Sequence, residues 1–244
     1  IKAFSSSPAN HYQIQESEFN KKYSVEDLKA DIDSLIKNLE DIHPNLYAYT
    51  TKEALLKKTR GIKKNLNKPL NRKEFYLKIA PLVASIKDGH TRLNPPGEEF
   101  GYYKKKGGFL FPLKIKIRAD KFYISENYDQ DKQKIPANSQ IISINQTSSK
   151  KISNELLQLI SGERKEFRQS VLAKYFDEYL WVSNKSNTDF KIEYLRPNSD
   201  QIQQISLKGI TENEKKKLSG KREDNLSLKF IRIKNQDVAL LTIN

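Results

Sequence analysis

Residues 84–96 read ASIKDGHTRLNPP, and within them the chain changes its periodicity. Before this stretch the apolar residues recur at helical spacing, and after it they alternate as strands do. An amphipathic helix runs out through Ile86, Asp88 and Gly89 form a tight corner, and His90, one of three histidines in the chain, lies on the far side. Two readings of His90 stand side by side. A histidine after an Asp-Gly turn serves local capping and packing, bonding Asp88 or a carbonyl. The other is that the imidazole is placed there for chemistry.

Upstream, Val25, Leu28, Ile32, Leu35, Leu39 and Ile42 share one helical face. Ser24 is placed to cap that helix, Glu26 and Asp27 complement its dipole, and Pro44 ends it after His43. His43 itself reads as a packing residue beside Tyr47 or as a helix cap. A second helix starts after Thr50 or Thr51 and runs through EALLKKTRGIKKNL. A third begins at Asn71 with Glu74 as its capping-box partner, buries Phe75, Ile79, Leu82 and Ile86, and carries Pro81 as a kink.

Downstream, GGFLFPLKIKIRADKFYISENY (107–128) predicts a hairpin turning at Ala119 and Asp120. IPANSQIISINQTSSKKI adds a strand over 141–144, and ISNELLQLISGE predicts a helix capped by Ser153 and stopped by Gly162. Further helix is expected over 164–183, then two strands joined at Pro197-Asn198. Residues 211–225 are nearly devoid of apolar side chains and read as an exposed linker. Beyond them LSLKFIRIKNQDVALLTIN predicts two strands around an Asn235-Gln236-Asp237 turn; a pair with one apolar face needs a covering layer.

Composition narrows the function classes. Of 244 residues 36% are hydrophobic and 30% charged, within the range of chains that fold. The 44 Lys and Arg exceed the 30 Asp and Glu by 14, yet they are dispersed and accompany no RNA- or DNA-binding motif, so no nucleic-acid partner is expected. With no cysteine and three scattered histidines, neither a metal nor another cofactor is expected. No apolar run reaches the roughly 18 residues of a membrane span. The chain holds no Met, even at position 1, and opens on polar residues that include His11; an upstream segment such as a signal peptide is expected to have been removed.

Taken in order, HPNLYAYT, LVASIKDGHTRL and IPANSQIISINQ resemble the helical-domain signature, the histidine corner and the PDZ-like core of the C-terminal processing and tricorn-like serine peptidases. Gln146 stands where that family commonly has Gly. The resemblance implies an α+β chain: a flexible tail over 1–23, a helical bundle over 24–96, a PDZ-like β-rich domain over 97–210, a linker over 211–225, and over 226–244 the first strands of a truncated α/β catalytic domain. It implies His90 as general base, Asp88 and Thr91 as residues that orient it, and a polypeptide substrate or protein C-terminus as partner. It implies export, to the periplasm, cell surface or medium. Within the PDZ-like region, Gly107, Gly108, Phe109 and Leu110 would form a carboxylate-binding loop ahead of a docking strand, with NELLQLI as the groove helix. A degenerate module that only braces its neighbours fits the same residues. No Gly-x-Ser-x-Gly elbow occurs, so the nucleophile is expected in a downstream catalytic domain and the chain as given is expected to be inactive. A non-catalytic peptide-binding scaffold is the alternative, and an anionic-surface binder a third class.

Overall fold

A computed structural model describes residues 19–128, 135–218, 226–233 and 236–243. Its first helix, α1 (Val25–Ile42), starts where Ser24 Oγ accepts from the Asp27 N–H and ends at His43, held in extended backbone ahead of Pro44. Helix α2 (Lys52–Lys64) is capped by Thr51, and α3 (Arg72–Ala84) by a reciprocal box between Asn71 and Glu74, with Pro81 inside it. Their apolar faces form two adjoining clusters, one around Leu28, Ile32, Phe75 and Ile79, the other around Ile36, Leu55, Leu82 and Ile86. Tail residues were expected to run to 23, but the fold begins earlier: Tyr23 bridges to Leu70, and Phe19 stacks on Tyr102 at 4.1 Å. Residues 1–18, with His11, lie outside the described residues.

After the corner the chain does not extend directly, as its changed periodicity predicts. Gly97–Lys105 forms α4, whose Phe100 and Tyr103 pack against Trp181 at 5.3 and 6.2 Å. Two glycines and a Pro-Pro start hide this short helix from the apolar pattern. An antiparallel sheet follows, made of β1 (Leu113–Arg118), β2 (Lys121–Asn127), β3 (Gln140–Ile144), β5 (Asp189–Leu195) and β6 (Ile202–Lys208) in that spatial order, with β4 (Thr147–Ser148) paired to β3. Three helices lie between β4 and β5: α5 (Ser149–Leu157), α6 (Lys165–Lys174) and α7 (Phe176–Val182). The architecture is thus mixed helix and antiparallel sheet, compatible with α+β. Phe111 meets Phe176 and Phe190 edge-on at 5.4 and 5.0 Å, and Tyr76 and Ala80 of α3 join the same core, so helices and sheet share apolar contacts.

Several expectations are corrected in detail. Ser148, not Ser153, caps α5; Ser153 is buried inside the helix. The helix running alongside edge strand β1 is α6, whereas α5, which holds most of the expected groove segment, packs over β2, β3 and β4. Within the expected linker, Glu212–Leu218 forms a helix, α8, where Thr211 and Glu214 cap each other; 219–225 lie outside the described residues. Among the described residues the last strands, β7 (Leu226–Ile233) and β8 (Gln236–Ile243), pair only with each other, and Gln236 and Asp237 belong to the strand instead of the turn. Both faces of this hairpin are apolar: Leu228 and Phe230 on one and Ile231, Val238 and Leu240 on the other are all exposed, Phe230 at 74%.

The two-residue β3–β4 connection places Asn145 at φ 47° and Gln146 at φ 63°. A left-handed residue with a Cβ costs roughly 1–2 kcal/mol, and turns with two such residues favour Asn-Gly. Asn145 earns its place through Oδ1, which accepts the Lys191 N–H at 2.8 Å; Gln146 is the position where Gly is the better fit. Gln146→Gly is expected to stabilise the fold by about 1 kcal/mol in denaturant titrations; a loss of stability would contradict the turn assignment.

Candidate functional site

The corner at 87–91 is built around one carboxylate. Lys87, at φ 62°, takes the left-handed turn that ends the α3 segment, so the positive angle falls one residue before Asp88 instead of at Gly89. Asp88 Oδ1 accepts the His90 N–H at 2.9 Å, and Oδ2 accepts from Thr91 Oγ1 at 3.0 Å and from His43 Nε2 at 2.9 Å. The Asp88 main-chain oxygen accepts from Thr91 N and from Ser161 Oγ. Donation from the His90 N–H, with lesser help from Thr91, His43 and the His90 ring, holds the Asp88 carboxyl down to about 2 despite its partial burial.

His43 is the histidine that the carboxylate binds. Its side chain is only 8% exposed, and the Asn45 N–H donates to Nδ1 at 3.1 Å. Nδ1 therefore carries no proton, Nε2 does, and the neutral Nε2–H form donates to Asp88. The contact spans 45 positions of sequence. The HPN segment holds a local clue: a proline sets the backbone of His43 at the end of α1, and the residue after the proline supplies the N–H that orients the ring.

His90 has the opposite environment. Its side chain is fully exposed, and its Nδ1 lies 3.4 Å from Asp88 Oδ1, longer than a good hydrogen bond. Main-chain bonding fixes where the residue stands and leaves the imidazole free to turn. The structure brings Asp88, Thr91 and His90 together at the corner, and adds His43 and Ser161.

The corner is fastened to the sheet-bearing half through residues 161–167. The Phe167 ring lies against Gly89, where a Cβ would sit 3.4 Å away, and against Gly162, where a Cβ would sit 2.6 Å from the ring. Gly162 also has φ 148°, a conformation that disfavours any side chain. Leu93, three residues past His90, packs against the sheet core and both helical clusters.

The residues expected to form a carboxylate-binding loop are placed at the entrance to β1, with the Gly107, Gly108 and Leu110 amides already engaged. Gly107 and Gly108 donate to the Lys104 and Tyr103 carbonyls, Leu110 exchanges two hydrogen bonds with Ile210, and the Phe109 carbonyl accepts from the Tyr103 hydroxyl. Phe111 N–H donates to Asp177 Oδ1 at 3.0 Å, and Lys215 of α8 holds the other oxygen of that carboxylate at 2.5 Å. A carboxylate does sit at the head of this strand, and it is the protein's own.

No protein-family model and no curated protein sequence matches the chain. Among solved structures, eight chains are similar in fold. One is the crystal structure of mature CPAF, a chlamydial serine protease, with a TM-score of 0.50 and 12% sequence identity over 76% of this chain. The match spans 34% of the CPAF chain, about a third of its length. Among the described residues, no helix is long and apolar enough to cross a membrane.

Removing the hub tests its weight. Hydrogen bonds to a charged group contribute about 1.5–3 kcal/mol each, and here some donors regain water, so Asp88→Ala is expected to cost about 2 kcal/mol at pH 7. Because the folded carboxyl sits near 2 and the unfolded one near about 3.9, this stability is present above about pH 4 and lost as pH falls toward 2. Denaturant titrations should show wild-type and Asp88→Ala stabilities converging over that window; a constant gap down to pH 2 would mean that the charge does not hold the corner.

Proposed function

We propose that this chain is the substrate-reading and base-supplying part of a serine endopeptidase related to the C-terminal processing peptidases, acting on polypeptides outside the cytoplasm. The observation that carries the reading is the contrast between the two histidines at the corner. His43 is locked against Asp88 in one neutral form, while His90 is held at its Cα and presents an unencumbered imidazole to solvent. The likeness in fold to a serine protease supports it, as does the order of the three sequence segments.

In this reading the nucleophilic serine comes from a domain that covers the β7–β8 hairpin. Strands apolar on both faces are the kind buried within a layered α/β sheet, and this hairpin has no covering layer among the described residues. His90 takes the proton of the attacking serine hydroxyl as the oxygen bonds to the peptide carbonyl carbon, then returns it to the departing amine. Water, deprotonated in turn by His90, releases the acyl group. Asp88 Oδ1 stands 3.4 Å from His90 Nδ1, on the side of the ring away from the reacting Nε2. Thr91 acts at one remove by orienting Asp88.

The antiparallel sheet is the PDZ-like module of this scheme, with β1 as its free edge and α6 beside it. The engaged amides of Gly107, Gly108, Leu110 and Phe111 favour a bracing role for that module over capture of a free chain end.

In a form of the protein that includes the serine-bearing domain, His90→Ala should lower cleavage of an unfolded protein substrate by about 10²–10⁴-fold. Its unfolding midpoint should stay put, because the ring touches almost nothing. Equal cleavage by both forms would end the general-base role, and absence of cleavage in the wild type would favour a non-catalytic scaffold.

A further inference from the structure

Between the corner and the helices over the sheet lies a cleft of about 670 Å³, within the range of ligand sites. Residues 92–98 form one wall, and Phe167 and Val171 of α6, Tyr175 between α6 and α7, and Glu178 of α7 form the other. Two features of the first wall point to an occupant. The main-chain N–H and C=O groups of Arg92, Leu93 and Asn94 make no hydrogen bond among the described residues, so they offer the unpaired edge to which an extended polypeptide adds as a strand. Buried Pro95 and Pro96 stiffen the segment that presents this edge.

The second feature is charge. Of the two arginines lining the cleft, Arg72 is committed to Glu98 at 3.0 Å and Glu99 at 3.3 Å. Arg92 makes no ion pair among the described residues, and its side chain is exposed. Glu178 lies on the opposite wall, where burial raises its pKa against a smaller opposing effect of Lys104. The cleft therefore combines apolar lining, an open main-chain edge and one uncommitted guanidinium, which suits bidentate pairing with a carboxylate.

We infer that this cleft binds an extended polypeptide segment in which an acidic residue is flanked by apolar ones, with Arg92 pairing the acidic side chain. The inference rests on the proposed reading for the meaning of the bound peptide as substrate; the binding itself requires only this chain. The Cα atoms of His90 and Arg92 are at most about 7 Å apart, so the acidic residue would lie within a position or two of the bond that His90 serves. Arg92 is thus a specificity-determining residue.

The test uses the 244-residue chain and two fluorescein-labelled octapeptides that differ only in a central Leu-Glu-Leu or Leu-Gln-Leu, followed by fluorescence anisotropy. The Glu peptide is expected to bind about tenfold tighter than the Gln peptide, a difference of about 1.4 kcal/mol. Arg92→Gln should bring the Glu peptide to the level of the Gln peptide and leave the latter unchanged. Val171→Trp, which fills the cleft, should weaken both. Equal binding of the two peptides, no binding of either, a Glu preference that survives Arg92→Gln, or competition by N-acetylglutamate as strong as by the peptide would each overturn the inference. Cleavage plays no part in this measurement, so loss of the peptidase reading and loss of the cleft's specificity appear in different experiments.

Discussion

One carboxylate organises the corner between the helical bundle and the sheet. Asp88 gathers donors from the end of α1, through His43, and from its own corner, through His90 N and Thr91, while its carbonyl takes Ser161 from the far side of the seam. An unpaired, partly buried carboxylate would be costly, so the position is stable only when these partners converge. Their convergence leaves His90 at a fixed point with a free ring. The corner thus separates two histidines, one buried and donating to the carboxylate and one with its ring exposed to solvent.

The Asp88 contacts do not hold the two halves of the molecule together. That work falls to apolar burial: Tyr76, Phe111, Phe122 and Phe190 are all but fully buried, and each such side chain contributes roughly 1.5–3 kcal/mol. Summed over the shared core, burial outweighs the hub, which decides only the shape of the corner. The cleft follows from the same arrangement. Phe167 presses close at Gly89 and Gly162, and Arg92, Leu93 and Asn94 line the cleft together with residues of α6 and α7.

Much of this fold is legible in the sequence where a local rule acts alone. Ser24, Thr51 and the Asn71–Glu74 pair cap their helices as their side chains dictate, and the Ala119-Asp120 turn closes β1 on β2. Reading fails where tertiary contacts override local pattern. α4 exists because Phe100 and Tyr103 find Trp181, a partner about 80 residues away in a chain whose local spacing shows only glycines and prolines. α8 forms in a polar stretch because Thr211 and Glu214 cap it and Lys215 reaches Asp177. At the candidate site, the Asp88-Gly89-His90-Thr91 cluster is visible in the sequence, since Asp and Thr bond their own turn. The partner of His43 is not, because the HPN segment orients the ring locally but does not tell whether it packs on Tyr47 or meets a carboxylate 45 residues on.

The account therefore turns on the unequal states of two imidazoles, which long-range ¹H–¹⁵N correlation spectra of the histidine rings report directly. His43 should appear as a single Nε2–H tautomer with a proton protected from exchange, and should lose that protection in Asp88→Asn. His90 should show rapid exchange and no fixed tautomer. A protected ring proton on His90, or a His43 ring that averages between tautomers, would contradict it.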